Sequence, residues 1–113
     1  MRFDIEVISD DLLPAVRSIM ATRLSKDYGY TQEEIAAKLE VTQPAVSQYM
    51  NRSRADPDVV QTLKDDPQVD LLLDDAVSKA AKDDDFSAEV ANIVETVRDK
   101  GLLKELFDGT SRL

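Results

Sequence analysis

The stretch that decides the fold occupies residues 30–51 and reads YTQEEIAAKLEVTQPAVSQYMN. It contains two helix starts. Thr31 followed three residues later by Glu34 is typical of a capping box, and Thr42 followed by Pro44 places a proline in the first turn of a second helix. Because both helices are short and only a few residues separate them, the pattern predicts a helix-turn-helix.

The apolar residues of this stretch fit the small core of such a unit. Five of them are spaced to lie between the two helices, and these are Ile35, Leu39, Val41, Val46 and Tyr49. Ala36 is small at the point where the helices must approach closely. The polar residues of the second helix fall mainly on its other side, which predicts a face free to enter the major groove of DNA.

The stretch resembles the Cro/repressor (XRE-type) helix-turn-helix over residues 30–39 and 41–49. Joined to Leu13-Pro14-Ala15-Val16-Arg17 upstream, it is more narrowly similar to archaeal predicted transcriptional regulators with a short XRE-type domain. The resemblance implies a lambda-repressor-like DNA-binding domain with a C-terminal helical extension, and a transcriptional regulator that binds double-stranded DNA.

The sequence departs from the family pattern at two places. Glu40 stands in the turn where the family usually has glycine, which visits positive φ without steric cost, so the turn is expected to be altered but not abolished. Near the C-terminus, relatives often show C-x-x-C followed by C-x-x-H. The positions that match are Ala91, Val94, Lys104 and Phe107, so the resemblance implies no metal site in this chain.

The second helix carries the expected base contacts, because glutamine can bond N6 and N7 of adenine together. We expect base contacts from Gln43, Pro44, Ser47 and Gln48. The resemblance places a phosphate contact at the start of the first of the two helices, and the expected backbone contacts are Thr31, Gln32, Thr42, Asn51, Arg52 and Arg54. The alternative is an ordinary helical hairpin whose polar side chains are only solvated surface.

Outside this stretch the pattern predicts an all-α bundle of six to seven helices. A first helix capped by Asp10 or Asp11 ends at Gly29, and further helices open at Asp56-Pro57, Asp66-Pro67 and Ser87. Alternating apolar residues at positions 3, 5 and 7 suggest a short strand or extended arm before them. We assign residues 10–54 to the DNA-binding region and residues 55–113 to an acidic helical region that packs with it as one domain.

The distribution of charge agrees with this division. The chain of 113 residues has a net charge of −9, but residues 17–54 sum to +2 while residues 55–113 sum to −8. Phosphates attract basic side chains, so a polyanionic partner is expected to meet the middle segment.

The C-terminal region offers a surface for dimerisation, which a small DNA reader normally needs because one domain contacts only a few base pairs. Residues 69–81 repeat apolar side chains at helical spacing, and such a stripe is most often core, with an intermolecular interface the second reading. The expected interface of the homodimer comprises Val69, Leu72, Leu73, Ala76, Val77, Val90, Val94 and Leu103.

Several functional classes are excluded or disfavoured by composition. The chain has no cysteine and no histidine, so no metal site and no cofactor are expected and an enzyme is improbable. The run Asp83-Asp84-Asp85 lacks the ligand spacing of a calcium loop. With no apolar run long enough to span a membrane, a cytoplasmic protein is expected. Two rivals stay open: an antitoxin-like or adaptor module whose acidic half binds a partner, and a sensor of an unidentified small-molecule effector.

Overall fold

The computed structural model describes residues 2–51 and 53–111, and the regular structure in those ranges is helical. The α-helices are α1 Asp4–Val7, α2 Leu13–Tyr28, α3 Gln32–Leu39, α4 Gln43–Met50, α5 Pro57–Asp65, α6 Pro67–Ala81, α7 Ser87–Lys100 and α8 Lys104–Phe107. Two of them, α1 and α8, are single turns of four residues. The predicted all-α bundle with a helix-turn-helix is confirmed.

The N-terminal segment is helical, so the predicted strand or arm is wrong. α1 continues through a π-helical segment, Ile8–Leu12, directly into α2. The Glu6 carboxylate accepts a hydrogen bond from the Phe3 amide at 3.0 Å and starts this continuous helix, whereas neither Asp10 nor Asp11 caps it. The wider turn of the π segment, with its i→i+5 hydrogen bonds, brings Val7 and Leu12 toward the same face, and both are fully buried.

Helix α2 is the central element of the bundle. It packs against α3, α4, α5 and α6, and its own side chains form a continuous buried strip. The members of that strip are Ala15, Val16, Ile19, Met20, Ala21 and Leu24. Because α2 supports both halves of the chain, the buried apolar residues form a single hydrophobic core, whose members run from Leu12 to Leu103 in the sequence.

The later helices begin at the predicted signals, with one exception. Asp56 and Asp66 cap α5 and α6 through their side chains, and Gly101 ends α7 in the left-handed conformation with φ of 65°. The exception is α7, where the Asp85 carboxylate, and not Ser87, accepts the terminal hydrogen bond, from the Ser87 amide at 2.9 Å. Asp85 takes the role because its carboxylate reaches an amide two residues on.

Candidate nucleic-acid interface

The small core between α3 and α4 forms as the spacing predicts. Ile35 and Val46 are fully buried, and Leu39 and Tyr49 are almost so, while Val41 in the turn is half-buried. These contacts hold the buried side of α4 against α3 and α2. The opposite side of α4 is consequently left at the surface.

Both helices of the motif are capped by threonine. The Thr31 hydroxyl accepts from the Glu34 amide at 3.2 Å, and the Glu34 carboxylate accepts from the Thr31 amide at 3.0 Å, so the predicted capping box is present. The hydrogen bond from the Thr31 amide also holds the pKa of Glu34 below its ordinary value. Thr42 caps α4 in the same way, accepting from the Ala45 amide at 3.2 Å.

The turn between the helices uses Glu40 in a conformation suited to glycine. Glu40 has φ of 56° and ψ of 44°, and its amide donates to carbonyls of the last turn of α3. The departure from the family pattern therefore leaves the left-handed turn in place. The strain falls on the Glu40 backbone, since a Cβ in this region costs about 1 kcal/mol.

The expected base-contact residues lie together on the free side of α4. Gln43 and Pro44 in its first turn are exposed, and Ser47 and Gln48 one turn later are half-buried. The Gln48 side-chain oxygen accepts a hydrogen bond from the Nε–H of Arg54. This pairing within the chain was not predicted, because no local sequence pattern marks a contact between a helix and the loop after it.

The expected backbone contacts flank this face at both ends. Thr31 and Thr42 are exposed at the starts of α3 and α4, and Gln32 beside Thr31 is half-buried. Asn51 and Arg54 follow α4, where the Asn51 side chain accepts from the Ser53 amide at 3.1 Å. Arg52 lies outside the described residues.

A buried hydrogen bond that sequence reasoning missed sets the position of α4. The Ser18 hydroxyl of α2 donates to the backbone carbonyl of Tyr49 at 2.7 Å, in the last turn of α4. Ser18 is 3% exposed, so the bond is shielded from water. The only sequence signal for this contact is a serine at a position within the apolar pattern of α2.

Two of the basic residues counted in the middle segment are held by the acidic half. Arg23 pairs with Asp70 at 2.6 Å and Asp74 at 2.8 Å, and Lys38 pairs with Asp83 at 3.1 Å. These ion pairs join α2 to α6 and α3 to the loop after α6. Their charges are therefore not free to meet a polyanion, and the sum over residues 17–54 overstates the positive charge of the surface.

The stripe expected to form a dimer interface lies mostly inside the chain's own core. Five of the eight residues expected at that interface are at most 4% exposed, and these are Val69, Leu73, Ala76, Val77 and Leu103. Their side chains belong to the hydrophobic core and are not at a surface where a second copy could contact them. Leu72, Val90 and Val94 are half-buried against the same core, whereas Leu71, which precedes Leu72 in the sequence, is 62% exposed.

Within residues 2–51 and 53–111, the structure shows no group of acidic side chains arranged to hold a metal ion. In the same part of the chain, none of the helices combines the length and apolar character needed to cross a membrane.

Comparison with known proteins identifies the segment around this face. Residues 19–71 match the family model described as "Helix-turn-helix". The matched segment begins in α2, includes α3, α4 and α5, and ends in α6. Neither a curated protein nor a solved structure matches the chain.

Proposed function

We propose that this chain, whose residues 19–71 match a helix-turn-helix family model, is a sequence-specific DNA-binding transcriptional regulator of the XRE type that binds as a homodimer. The observation that carries the proposal is the free side of α4. Its opposite side is buried through Ala45, Val46 and Tyr49, while Gln43 is exposed and Gln48 is half-buried. An α-helix with this division fits the major groove.

The proposed roles follow from what each side chain offers. Gln43, Ser47 and Gln48 carry donors and acceptors that can bond base edges, and Pro44 presents apolar surface to them. Backbone contacts are assigned to Thr31, Gln32, Thr42, Asn51, Arg52 and Arg54. The two capping threonines hold the starts of α3 and α4, where helix N-termini favour the negative charge of a phosphate.

Selection of duplexes from a randomised library by the purified protein, followed by titration of the best duplex, tests sequence-specific binding. We expect Gln43→Ala to weaken binding to the selected duplex by about tenfold or more, while binding to unrelated duplexes is unchanged. Gln68→Ala, which removes an exposed glutamine from α6, is the matched control and should leave both affinities as they are. Absence of any enriched sequence would refute the regulator proposal.

The dimer is proposed because one copy of α4 reads too few base pairs for useful specificity. Because most of the expected interface residues are buried in the core, we assign the interface to exposed apolar side chains, and Leu71 at 62% exposure is the most exposed large one in the described part of the chain. We expect Leu71→Asp to shift the protein toward monomer in sedimentation velocity. The same variant should lose the preference for duplexes with two half-sites about 34 Å apart over duplexes with one.

Gln68→Ala serves as the control for the oligomeric state as well. A Leu71→Asp variant that sediments like the parent protein would show that the dimer, if formed, uses another surface.

A further inference from the structure

We propose that Arg54 determines which base Gln48 reads, by occupying the acceptor of its carboxamide. The inference rests on the proposed function, since it concerns the specificity of the same face of α4. It assigns to Arg54 a positioning role in base recognition in addition to any contact that its terminal nitrogens make with a phosphate.

The contact is built from three residues around the last turn of α4. The Nε–H of Arg54 donates to the side-chain oxygen of Gln48, and its guanidinium carbon lies 5.6 Å from the centre of the Tyr49 ring. Tyr49 is 4% exposed, so the ring is fixed in the core and offers the guanidinium a rigid face. Arg54 is therefore held in place over Gln48.

The loop that carries Arg54 is itself tied to the same residue. The Ser53 amide donates to the backbone carbonyl of Gln48 at 2.9 Å, and the Ser53 hydroxyl also approaches that carbonyl at 3.4 Å. This fold-back of the chain places residue 54 next to residue 48. The pairing thus follows from the backbone as well as from the two side chains.

The pairing changes what Gln48 presents to a base. A free glutamine reads adenine with its oxygen accepting from N6 and its nitrogen donating to N7. The Gln48 oxygen already accepts a hydrogen bond from a cation. The groups that the two side chains can offer to a base are therefore mainly donors, namely the Gln48 amide hydrogens and the terminal N–H groups of Arg54. Guanine, with acceptors at both O6 and N7, matches such a donor set, and the N6 donor of adenine opposes it.

The experiment compares base preferences in selections from one randomised duplex library. Selection with Gln48→Ala first identifies the position read by Gln48, which is where the preference of the parent protein disappears. At that position we expect the parent protein to favour guanine over adenine by about tenfold. We expect Arg54→Ala, which frees the Gln48 oxygen, to abolish or reverse that ratio.

Lys104→Ala, which removes the same charge from an exposed position of α8, is the matched control and should keep the guanine preference. The inference fails if the parent protein favours adenine at the Gln48 position, if Gln48→Ala changes no position, or if Arg54→Ala weakens all sequences equally and keeps the ratio. The last result would make Arg54 a phosphate contact only. If the parent protein enriches no sequence at all, the proposed function itself is overturned.

Discussion

At the scale of single residues, Glu40 is the one position of the motif where a side chain occupies backbone space that favours glycine. Its φ of 56° lies in the left-handed region, and the turn forms there because α3, α4 and their shared core determine the path of the chain on both sides. The motif therefore tolerates a family departure at a local energetic cost.

We expect Glu40→Gly to raise the free energy of unfolding by at most about 1 kcal/mol, since glycine removes the Cβ that crowds the left-handed conformation. Urea denaturation measures the change. Glu40→Ala is the control because it removes the same carboxylate and keeps the Cβ. Equal stabilities of the glycine and alanine variants would show that charge, and not backbone strain, governs this position.

At the scale of helices, hydrogen-bonded carboxylates fix several ends. Asp66 caps α6 by accepting from the Val69 amide at 2.9 Å, and this bond, aided by Lys100, holds its pKa below the ordinary value of 3.8. The amide of Ser87 lowers the pKa of Asp85 in the same way, and Lys79 lowers that of Glu89. Each of these groups binds a proton less readily in the folded state than in the unfolded state.

The sign of the pH dependence follows from these lowered pKa values. The carboxylates stabilise the fold when the pH is above their ordinary pKa values. That stabilisation is lost as the pH falls through the lower pKa values that these groups have in the folded state. We expect the urea midpoint to drop between about pH 6 and about pH 3, and the Asp66→Asn variant to show a shallower drop because its cap cannot be protonated.

Asp58→Asn, at an exposed position of α5, provides the comparison for a carboxyl that makes no such capping bond. If Asp66→Asn and Asp58→Asn show the same pH dependence, the cap of α6 is not a source of acid sensitivity.

The helix ends also show what sequence could and could not predict. The bounds of α3 and α4 follow from Thr31, Thr42 and the short apolar pattern, all of which act within a few residues. The continuation of α2 back to α1 through a π segment has no comparable local signal. On the candidate interface, the face of α4 was predictable from its polar residues, but the Arg54–Gln48 pairing and the Ser18–Tyr49 bond depend on tertiary placement.

At the scale of the whole molecule, the two charge regions are interlocked. The partners of Arg23 follow it by 47 and 51 residues in the sequence, so a count of charge by segment assigns it to a DNA surface although it joins α2 to α6. The acidic half therefore neutralises part of the basic segment. It also contributes to holding α2, on which α4 rests.

We accordingly expect Arg23→Ala to lower the free energy of unfolding by about 1 kcal/mol, since its partners are partly exposed. Its affinity for the selected duplex should equal that of the parent protein below the unfolding temperature. Arg54→Ala should show the opposite pattern, with stability retained and DNA binding altered. A loss of DNA affinity in folded Arg23→Ala would mean that this residue contacts the duplex directly.

A second long-range contact joins the first helix to the last two. Asp4 is 6% exposed and pairs with Arg98 at 2.6 Å, and its carboxylate also accepts from the Thr110 hydroxyl. Arg98 in turn lies 4.7 Å from the centre of the Phe107 ring. The contact thereby connects α1, α7 and α8.

We expect Asp4→Ala to lower the free energy of unfolding by about 3 kcal/mol, because it leaves the largely buried Arg98 without its ionic partner. Urea denaturation provides the measurement. Asp10→Ala removes a carboxylate that is 64% exposed and lies 3.6 Å from Arg2, and should change stability by about 0.5 kcal/mol or less. Similar losses in the two variants would contradict the assignment.

The hydrogen bond from Ser18 to the Tyr49 carbonyl has a consequence for the DNA. Since α4 is fixed at its last turn to α2, and α2 is packed on several sides, α4 has little freedom to move relative to the rest of the chain when it lies in the major groove as proposed. Any mismatch of shape must then be taken up by bending or twisting of the duplex, which flexible pyrimidine–purine steps allow most easily. A binding site for this protein would accordingly show preferences at base pairs that no side chain touches.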